Sequence, residues 1–393
     1  MSSNVRNQTA VKDAVEVVIF DERGSEWLKK CVPQNIKTLV LASNISRKHL
    51  CHPAILSGLL KWFFIGNFEN LGVRGRWIAA YFIALVERIS PAIVISNNDG
   101  SEIIRAIALN NKKIFVAVVQ LALRERYRNA KIKTFPTYFS FGQAQEKLFS
   151  ASQVKCHDIR PVGSLRNSIY LATHKNKKND QDTAFRIVFI SQWKRGLCLN
   201  PKLDLYKAWN EGHRKTFQAV HRYAEERSIK LDVVLRNTFD HDDNMEQQKK
   251  YFFEAAQSSQ LNFFSSRTNE LASYSPTYVG DIVVHFFSTL GFEVFGYGRK
   301  VLCCIGLGGG KQFIDEFGVQ ELIESLPPEV LLSENKEHLI GDMINKLIDM
   351  PSPTYESLTK KARNYYMSME EGQKTHESIK LDLAKILKIK NNA

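Results

Sequence analysis

Short apolar runs alternate with amphipathic stretches along most of the 393 residues. The runs have the length and β-branched content of buried parallel strands, and the 3.6-residue periodicity between them predicts helices. In the first half the predicted strands are Val15–Phe20, Thr38–Ala42, Ala92–Ser96, Ile114–Val119, Thr137–Phe141 and Asp158–Val162. The predicted helices between them are Gly24–Cys31, Lys48–Phe64, Arg76–Ile89 and Ser101–Ala108. Strands that alternate with helices favour an open, mainly parallel α/β sheet.

The pattern starts again after a polar stretch, residues 173–184, that has no apolar periodicity and resembles a linker in composition. The predicted strands of the second half are Phe185–Ile190, Leu231–Leu235, Leu261–Phe264, Asp281–Phe287 and Val301–Cys304. We therefore expect an α/β protein with two domains, residues 1–172 and residues 185–393, the second of which carries the C-terminal helices.

The net charge of +13 favours anionic partners, such as nucleotides or anionic lipid headgroups, over neutral ones. A generally basic surface without a dedicated partner remains an alternative. No stripe of Lys or Arg interleaved with aromatic residues is present, so no nucleic acid partner is expected.

The six cysteines form no CxxC pair and have no zinc-ligand spacing, which is typical of reduced cysteines. The polar N-terminus lacks the apolar core of a signal peptide, and no run approaches the ~18 apolar residues that span a membrane. These features predict a cytoplasmic protein.

Residues 280–304 combine a strand, a polar turn, a helix and a second strand in close succession. Ser288 and Thr289 lie in the turn, where the N-terminus of the following helix suits an anion such as a nucleotide phosphate. Glu293 lies in the first turns of that helix, where it could accept hydrogen bonds from ribose hydroxyls. The alternative is a crossover unit with a Ser/Thr cap and nothing bound.

Two further strands of the second half also end in polar residues. Ser191 and Gln192 follow one strand directly, and Arg236 ends another. In parallel sheets ligands bind beyond the carboxyl ends of the strands, so these residues are candidates for phosphate contact. Arg236 could hold a phosphate or a sugar carboxylate in a bidentate manner, or close a surface ion pair.

Four stretches of the sequence resemble GT-B-type glycosyltransferases, and more narrowly the bacterial surface-carbohydrate biosynthesis proteins related to capsule and lipopolysaccharide Kdo transferases. They are IVISNNDGS from Ile93, TYFSFGQAQEKLF with the later DIRPVGSLRNS, RIVFISQWK from Arg186, and VGDIVVHFFSTLGFEVFGYGRKVLC from Val279. The resemblance implies two Rossmann-like domains that face each other across a cleft. It also implies transfer of a sugar from a nucleotide-sugar donor, for example a CMP-Kdo-like one, to a glycan or lipid-linked acceptor.

The resemblance implies that Asp99 is the catalytic carboxylate, as base or nucleophile, because similar proteins keep an aspartate at this place. Asp99 follows a predicted strand directly, and Asp21 occupies the equivalent place after the first strand. Asp99 could instead cap the helix that starts near Ser101.

No metal site and no cofactor other than the donor substrate are expected, because GT-B enzymes usually neutralise the leaving phosphate with helix dipoles and basic side chains. No Asp-x-Asp pair follows an apolar strand, and the acidic residues 240–243 stand in polar sequence typical of a solvated loop.

Residues 52–89 are rich in Trp, Phe, Leu and Ile and include basic residues. This composition is typical of a surface that contacts an anionic inner membrane, although the two predicted helices could equally pack on the sheet. Two other functions stay open: transfer of a polyol phosphate of the teichoic-acid type, and non-enzymatic binding of nucleotides or nucleic acid.

Overall fold

A computed structural model describes residues 15–21, 24–42, 52–69, 71–123, 134–174, 184–194, 204–236, 242–258, 260–265, 271–317, 319–368 and 374–391. Most of the predicted linker, residues 175–183, lies outside the described residues, as do residues 237–241 of the acidic stretch.

The described residues of the first half form a six-stranded sheet in which every pair is parallel, with the order β2-β1-β3-β4-β5-β6. Its strands are β1 (Val17–Phe20), β2 (Thr38–Leu41), β3 (Ile93–Ser96), β4 (Phe115–Val119), β5 (Thr134–Ser140) and β6 (Lys155–Pro161). Strands β1 and β3 are buried throughout, as their continuous apolar runs predict. The predicted parallel α/β sheet is confirmed.

In the described part of this half, six helices lie between and after these strands. They are α1 (Ser25–Lys29), α2 (Pro53–Ile65), α3 (Val73–Ile89), α4 (Glu102–Asn110), α5 (Ala144–Ala151) and α6 (Leu165–Thr173). Helix α4 is capped by the hydroxyl of Ser101, which accepts a hydrogen bond from the Ile104 amide. The N-cap of this helix is therefore Ser101 and not Asp99.

In the second half, the part of the chain that the structure describes forms a five-stranded parallel sheet with the order β11-β10-β7-β8-β9. Its strands are β7 (Arg186–Ile190), β8 (Lys230–Val234), β9 (Asn262–Phe264), β10 (Ile282–His285) and β11 (Val301–Cys303). The helices are α7 (Asp204–Glu226), α8 (Asp242–Ala256), α9 (Tyr274–Val279), α10 (Thr289–Gly296), α11 (Gly310–Phe317), α12 (Gln320–Ile323), α13 (Leu339–Asp349), α14 (Ser352–Tyr366) and α15 (Thr375–Asn391). This order is that of a doubly wound parallel sheet.

The last helix, α15, returns from the second sheet to pack on the first. Its Thr375 hydroxyl donates to the Val162 carbonyl at 2.7 Å, and its Asp382 pairs with Arg160 at 3.0 Å. Gly163 precedes α6 with φ +85°, and an added Cβ would lie 2.8 Å from the Ser368 carbonyl oxygen. Only glycine combines this backbone conformation with so close an approach of the returning chain.

The carboxyl ends of the two sheets lie against each other. Thr289, at the start of α10 in the second sheet, accepts a hydrogen bond from the Leu123 amide after β4 at 3.2 Å. Each sheet reverses its strand order at one point, between β1 and β3 in the first and between β7 and β10 in the second. Ligands of doubly wound sheets bind at such points, so the fold places the candidate site in the cleft between them.

Candidate functional site

Helix α10 presents its N-terminus beside the point where the second sheet reverses. Ser288 is the extended N-cap residue, and its hydroxyl makes no capping hydrogen bond. The amide of Ser288 is used internally, because it donates to Nδ1 of His285 at 3.0 Å. An added Cβ on Gly291 would come within 2.2 Å of the His285 ring, so glycine at this position lets α10 lie directly on β10. The hydroxyl and the helix N-terminus together suit a phosphate group.

Gln248, on α8, joins two of the predicted phosphate contacts. Its Oε1 accepts hydrogen bonds from the Ser191 hydroxyl at 2.7 Å and from the Arg236 amide at 2.8 Å. Its Nε2 donates to the Arg236 carbonyl at 3.2 Å. The structure therefore brings Ser191 and Arg236 together at the carboxyl ends of β7 and β8, with the Ser191 hydroxyl already paired.

Gln192 connects the loops that follow β7 and β10. Its Oε1 accepts a hydrogen bond from the Phe287 amide at 3.1 Å, one residue before Ser288. Its own amide donates to Nε2 of His213 at 3.1 Å. His213 is fully buried, and this burial, with a smaller contribution from the charge of Arg236, lowers its pKa to about 3. The ring is therefore neutral and holds the loop as an acceptor.

Thr289 and Glu293, both on α10, contact the first domain. The carboxylate of Glu293 is 1% exposed and accepts hydrogen bonds from the Ser164 hydroxyl at 2.6 Å and the Tyr274 hydroxyl at 2.8 Å. Arg166 lies 3.8 Å from the same carboxylate. Burial raises the pKa of Glu293, and Arg166 and the two hydroxyls oppose that rise.

The two candidate catalytic carboxylates lie at the reversal point of the first sheet, but in different surroundings. Asp99 is 3% exposed and accepts a 2.8 Å hydrogen bond from the Tyr138 hydroxyl on β5. Asp21 is half-buried and has φ +85°, and its Oδ2 accepts a hydrogen bond from Nδ2 of Asn98 at 3.4 Å. A non-glycine residue in this backbone region is uncommon and is often found at functional sites.

Three residues that organise the site have no obvious signal in the sequence. Gln248 and His213 lie on long helices, far along the chain from the residues that they position. Tyr274 precedes β10 and contacts Glu293 from the same domain. Ser164 and Arg166 stand in one of the four resembling stretches, so that stretch indicated an important region without revealing its role at the domain contact.

The surface formed by α2 and α3 exposes apolar side chains. Phe64, Ile65 and Val73 are 78%, 66% and 68% exposed, and they lie at the end where α2 passes into α3. We call this surface the hairpin tip. Glu87 on α3 accepts hydrogen bonds from the Trp62 indole and the Lys61 amine on α2, and these bonds connect the two helices.

Among the described residues, no group of three or more His, Cys, Asp or Glu side chains is placed to hold a metal ion. None of the helices in the described part of the chain is long and apolar enough to cross a membrane.

Residues 139–315 match a protein family described as "putative O-antigen biosynthesis protein". This segment runs from the end of β5 to α11 and includes Ser164, Ser191, Arg236 and Ser288. No curated protein matches the chain in sequence.

Several solved structures share the fold over nearly the whole chain. The UDP-GlcNAc 2-epimerase of Neisseria meningitidis bound to UDP-GlcNAc has a TM-score of 0.53 at 13% identity, covering 94% of this chain and 99% of that chain. A variant of the wall teichoic acid polymerase TagF has a TM-score of 0.53 at 12% identity, covering 97% and 91%. A glycosyltransferase of Rickettsia africae has a TM-score of 0.51 at 12% identity, covering 95% and 99%.

At these identities the solved structures establish the fold. The expected architecture, two Rossmann-like domains that face each other across a cleft, is confirmed. Together with the family match, this fold confirms that the chain resembles surface-carbohydrate biosynthesis proteins of the GT-B type.

Proposed function

We propose that this protein is a metal-independent glycosyltransferase that moves a sugar from a nucleotide-sugar donor to a surface-glycan acceptor. The observation that carries the proposal is the N-terminus of α10, where the hydroxyl of the N-cap residue Ser288 makes no capping hydrogen bond. This group follows β10 at the strand reversal of the second sheet, and the adjacent Thr289 contacts Leu123 of the first domain. The match to an O-antigen biosynthesis family and the glycosyltransferase of similar fold support it.

The leaving nucleotide phosphate would be neutralised by the helix dipole, by the Ser288 hydroxyl and by the guanidinium of Arg236. Oriented backbone amides and a fixed cation stabilise negative charge as it develops in the transition state. The polar side-chain atoms of Ser191, Gln192 and Thr289 already hold neighbouring loops. These residues therefore contribute to donor binding mainly by fixing the shape of the site. No cofactor other than the donor substrate enters this proposal, and chelation with EDTA should leave activity unchanged.

Glu293 has a conditional place in the proposed donor site. Ribose hydroxyls could donate hydrogen bonds to the Glu293 carboxylate only if the Ser164 and Tyr274 hydroxyls, which now donate to its two oxygens, moved away. The ribose contact stays a prediction, and calorimetry with Glu293→Gln tests it: a loss of nucleotide affinity supports the contact, and an unchanged affinity removes it.

On the acceptor side, exposure favours Asp21 over Asp99 as the carboxylate that meets the acceptor hydroxyl. A general base must come within hydrogen-bond reach of the proton that it removes. Asp21 is half-buried after β1, whereas Asp99 after β3 is buried and binds Tyr138. Asn98, the residue before Asp99, donates a hydrogen bond to Asp21, so it connects the loops that carry the two carboxylates.

The finer part of the proposal concerns the donor, the acceptor and the location. A CMP-Kdo-like donor, a lipid-linked acceptor and work at the cytoplasmic face of the inner membrane fit the basic net charge and the apolar hairpin tip. A lipid-linked acceptor would make contact with the membrane useful, since the cleft must reach a substrate that stays in the bilayer.

The decisive first experiment is a nucleotide screen by thermal shift and calorimetry with CMP, UDP, GDP and CDP. One nucleotide should raise the melting temperature, because a ligand that binds only the folded state stabilises it. Ser288→Ala should weaken that nucleotide roughly tenfold, the loss of about one charge-assisted hydrogen bond. The matched control Ser352→Ala, at an exposed serine on α14, should not change the affinity. No response to any nucleotide would refute the proposal.

Transfer of a polyol phosphate is the second candidate function, because the TagF polymerase shares the fold over 97% of this chain. The reaction products separate the two. Polyol-phosphate transfer from a CDP-linked donor releases CMP and leaves a new phosphodiester on the acceptor, whereas sugar transfer adds no phosphorus to it. Mass spectrometry of the acceptor distinguishes these outcomes.

A further inference from the structure

A cavity of about 410 Å³ opens at the end of the first sheet that faces away from the cleft. It lies at the amino ends of β4 and β5, between the C-terminal end of α4 and the last turns of α15. Its apolar wall includes Leu109, Phe115, Ile386 and Ile389. The volume is within the ~300–1,000 Å³ that small-molecule sites usually enclose.

The cavity is separate from the proposed donor and acceptor site. The five residues of β4 span roughly 15 Å, at about 3.3 Å per residue, and the cleft lies at their other end. A molecule in the cavity cannot present a reacting atom to Asp21 or Ser288. Any ligand here is therefore held for binding and not for transfer.

The rim of the cavity is basic and offers an unused donor. Lys112 and Lys113 are exposed on the turn after α4, and the buried Arg105 places its guanidinium 5.9 Å from the Phe135 ring. Nδ2 of Asn111 is buried and has no hydrogen-bond partner among the described residues. Thr134, which lines the cavity, donates its hydroxyl hydrogen bond to Glu69 at 2.6 Å. These lysines and the amide suit an anion such as a phosphate.

The cavity adjoins the hairpin tip. The Asn67 amide donates to Oδ1 of Asn110 at 2.8 Å, and Nδ2 of Asn110 donates back to the Asn67 carbonyl at 2.9 Å. Asn67 follows the exposed Phe64 and Ile65 by two or three residues, and Asn110 lies between two residues that line the cavity. Ile389, on the cavity wall, is itself 69% exposed. Apolar surface therefore occurs on both sides of this contact.

We propose that this cavity binds an anionic lipid drawn from a membrane surface on which the hairpin tip rests. The headgroup phosphate contacts Lys112, Lys113 and the Asn111 amide, and the first part of an acyl chain lies along Leu109, Phe115 and Ile386. The combination of a basic rim with an apolar wall selects a ligand that carries both a net negative phosphate headgroup and a chain. A free phosphate satisfies only the rim, and a zwitterionic lipid, whose choline cation is repelled by the lysines, satisfies only the wall.

The test uses calorimetry on the full chain without any sugar donor, so it is independent of the proposed transferase activity. Soluble dioctanoyl phosphatidylglycerol should bind, whereas inorganic phosphate and dioctanoyl phosphatidylcholine should bind at least tenfold more weakly. Lys112→Glu combined with Lys113→Glu should lower the phosphatidylglycerol affinity at least tenfold. The matched pair Lys360→Glu with Lys361→Glu, on the exposed face of α14, carries the same charge change and should not alter it.

A second variant tests the apolar wall. Ala108→Trp places a large ring in the cavity and should abolish binding of phosphatidylglycerol while the melting temperature stays near that of the wild type. Equal binding of inorganic phosphate and phosphatidylglycerol, or full binding by Ala108→Trp, would overturn the proposal and leave only a basic surface. If Ala108→Trp does not fold, the lysine pair and the three ligands decide alone.

Discussion

The hydroxyl of Ser164 donates a 2.6 Å hydrogen bond to the carboxylate of Glu293, and this bond joins the two domains. Ser164 also caps α6 of the first domain, where its oxygen accepts a hydrogen bond from the Asn167 amide at 3.2 Å. Nδ2 of Asn167 in turn donates to the Glu293 carbonyl. One short segment of the first domain thus binds both the side chain and the backbone of α10, the helix proposed to hold the donor phosphate.

Ser164→Ala should destabilise the protein by more than the loss of a helix cap. The cap alone is worth about 1 kcal/mol, and a hydrogen bond to a buried carboxylate adds about 1.5–3 kcal/mol. Urea unfolding measures the sum. Ser101→Ala is the matched control, because it removes the cap of α4 and no contact between domains. Equal losses of unfolding free energy in the two variants would show that the Ser164–Glu293 bond contributes nothing.

Substitutions at Asp21 and Asp99 should affect different properties: turnover at Asp21 and stability at Asp99. Asp21→Asn should lower the turnover number roughly 10²-fold or more, because it removes the proposed base. The backbone should tolerate this change, since asparagine accepts a positive φ well. The melting temperature and the nucleotide affinity should stay near those of the wild type.

Asp99→Asn, in contrast, should lower the melting temperature, because the Tyr138 hydroxyl would exchange a charged buried acceptor for a weaker, neutral amide oxygen. Tyr138→Phe removes the hydrogen bond altogether and should lower the melting temperature at least as much. The reverse pattern, a stable Asp99→Asn without turnover and an active Asp21→Asn, would assign the base to Asp99 as the sequence resemblance implies.

The strands could be predicted within a few residues because their chemistry is local. The strand Ile93–Ser96 is buried on both faces, so it is apolar up to Ile95, and the run ends where polar residues begin at Ser96. The polar ends then marked the carboxyl edge of each sheet, where Ser191, Arg236 and Ser288 lie. This part of the candidate site follows from the alternation of strands and helices alone.

Surroundings that depend on the other domain could not be predicted in the same way. The periodicity of α15 shows that one face is buried, but not that this face packs on the first sheet through Thr375 and Asp382. Likewise, Glu293 reads as a polar residue near a helix N-terminus, and its sequence neighbours do not reveal the Ser164 hydroxyl that reaches it. Such contacts join residues more than a hundred positions apart.

His213 should make stability depend on pH in mildly acidic conditions. Its pKa is lowered from 6.5 to about 3, chiefly by burial, so the unfolded chain binds a proton in this window and the folded chain does not. The stability that it contributes is fully present above pH 6.5, and it falls by up to about 1.4 kcal/mol per pH unit as the pH drops toward 3.

His213→Gln should reduce this slope, because glutamine can accept the Gln192 amide hydrogen bond but does not titrate. Urea unfolding between pH 8 and pH 5 measures the difference from the wild type. His338→Gln, at an exposed histidine before α13, is the control and should leave the curve unchanged. Parallel curves for the wild type and His213→Gln would contradict the assignment of a neutral buried ring.

The hairpin tip should bind anionic membranes. Phe64→Ser combined with Ile65→Ser removes two of its most exposed apolar side chains, which can insert into the interface between headgroups and acyl chains. Cosedimentation with phosphatidylcholine vesicles that contain one-third phosphatidylglycerol should fall at least fivefold, while the melting temperature stays unchanged. Leu358→Ser, at an exposed leucine on α14, should bind like the wild type.

Since Arg74 and Arg76 adjoin the tip and exposed charges are screened, binding by the wild type should weaken as salt rises. Equal cosedimentation of the double variant and the wild type would show that another surface meets the membrane.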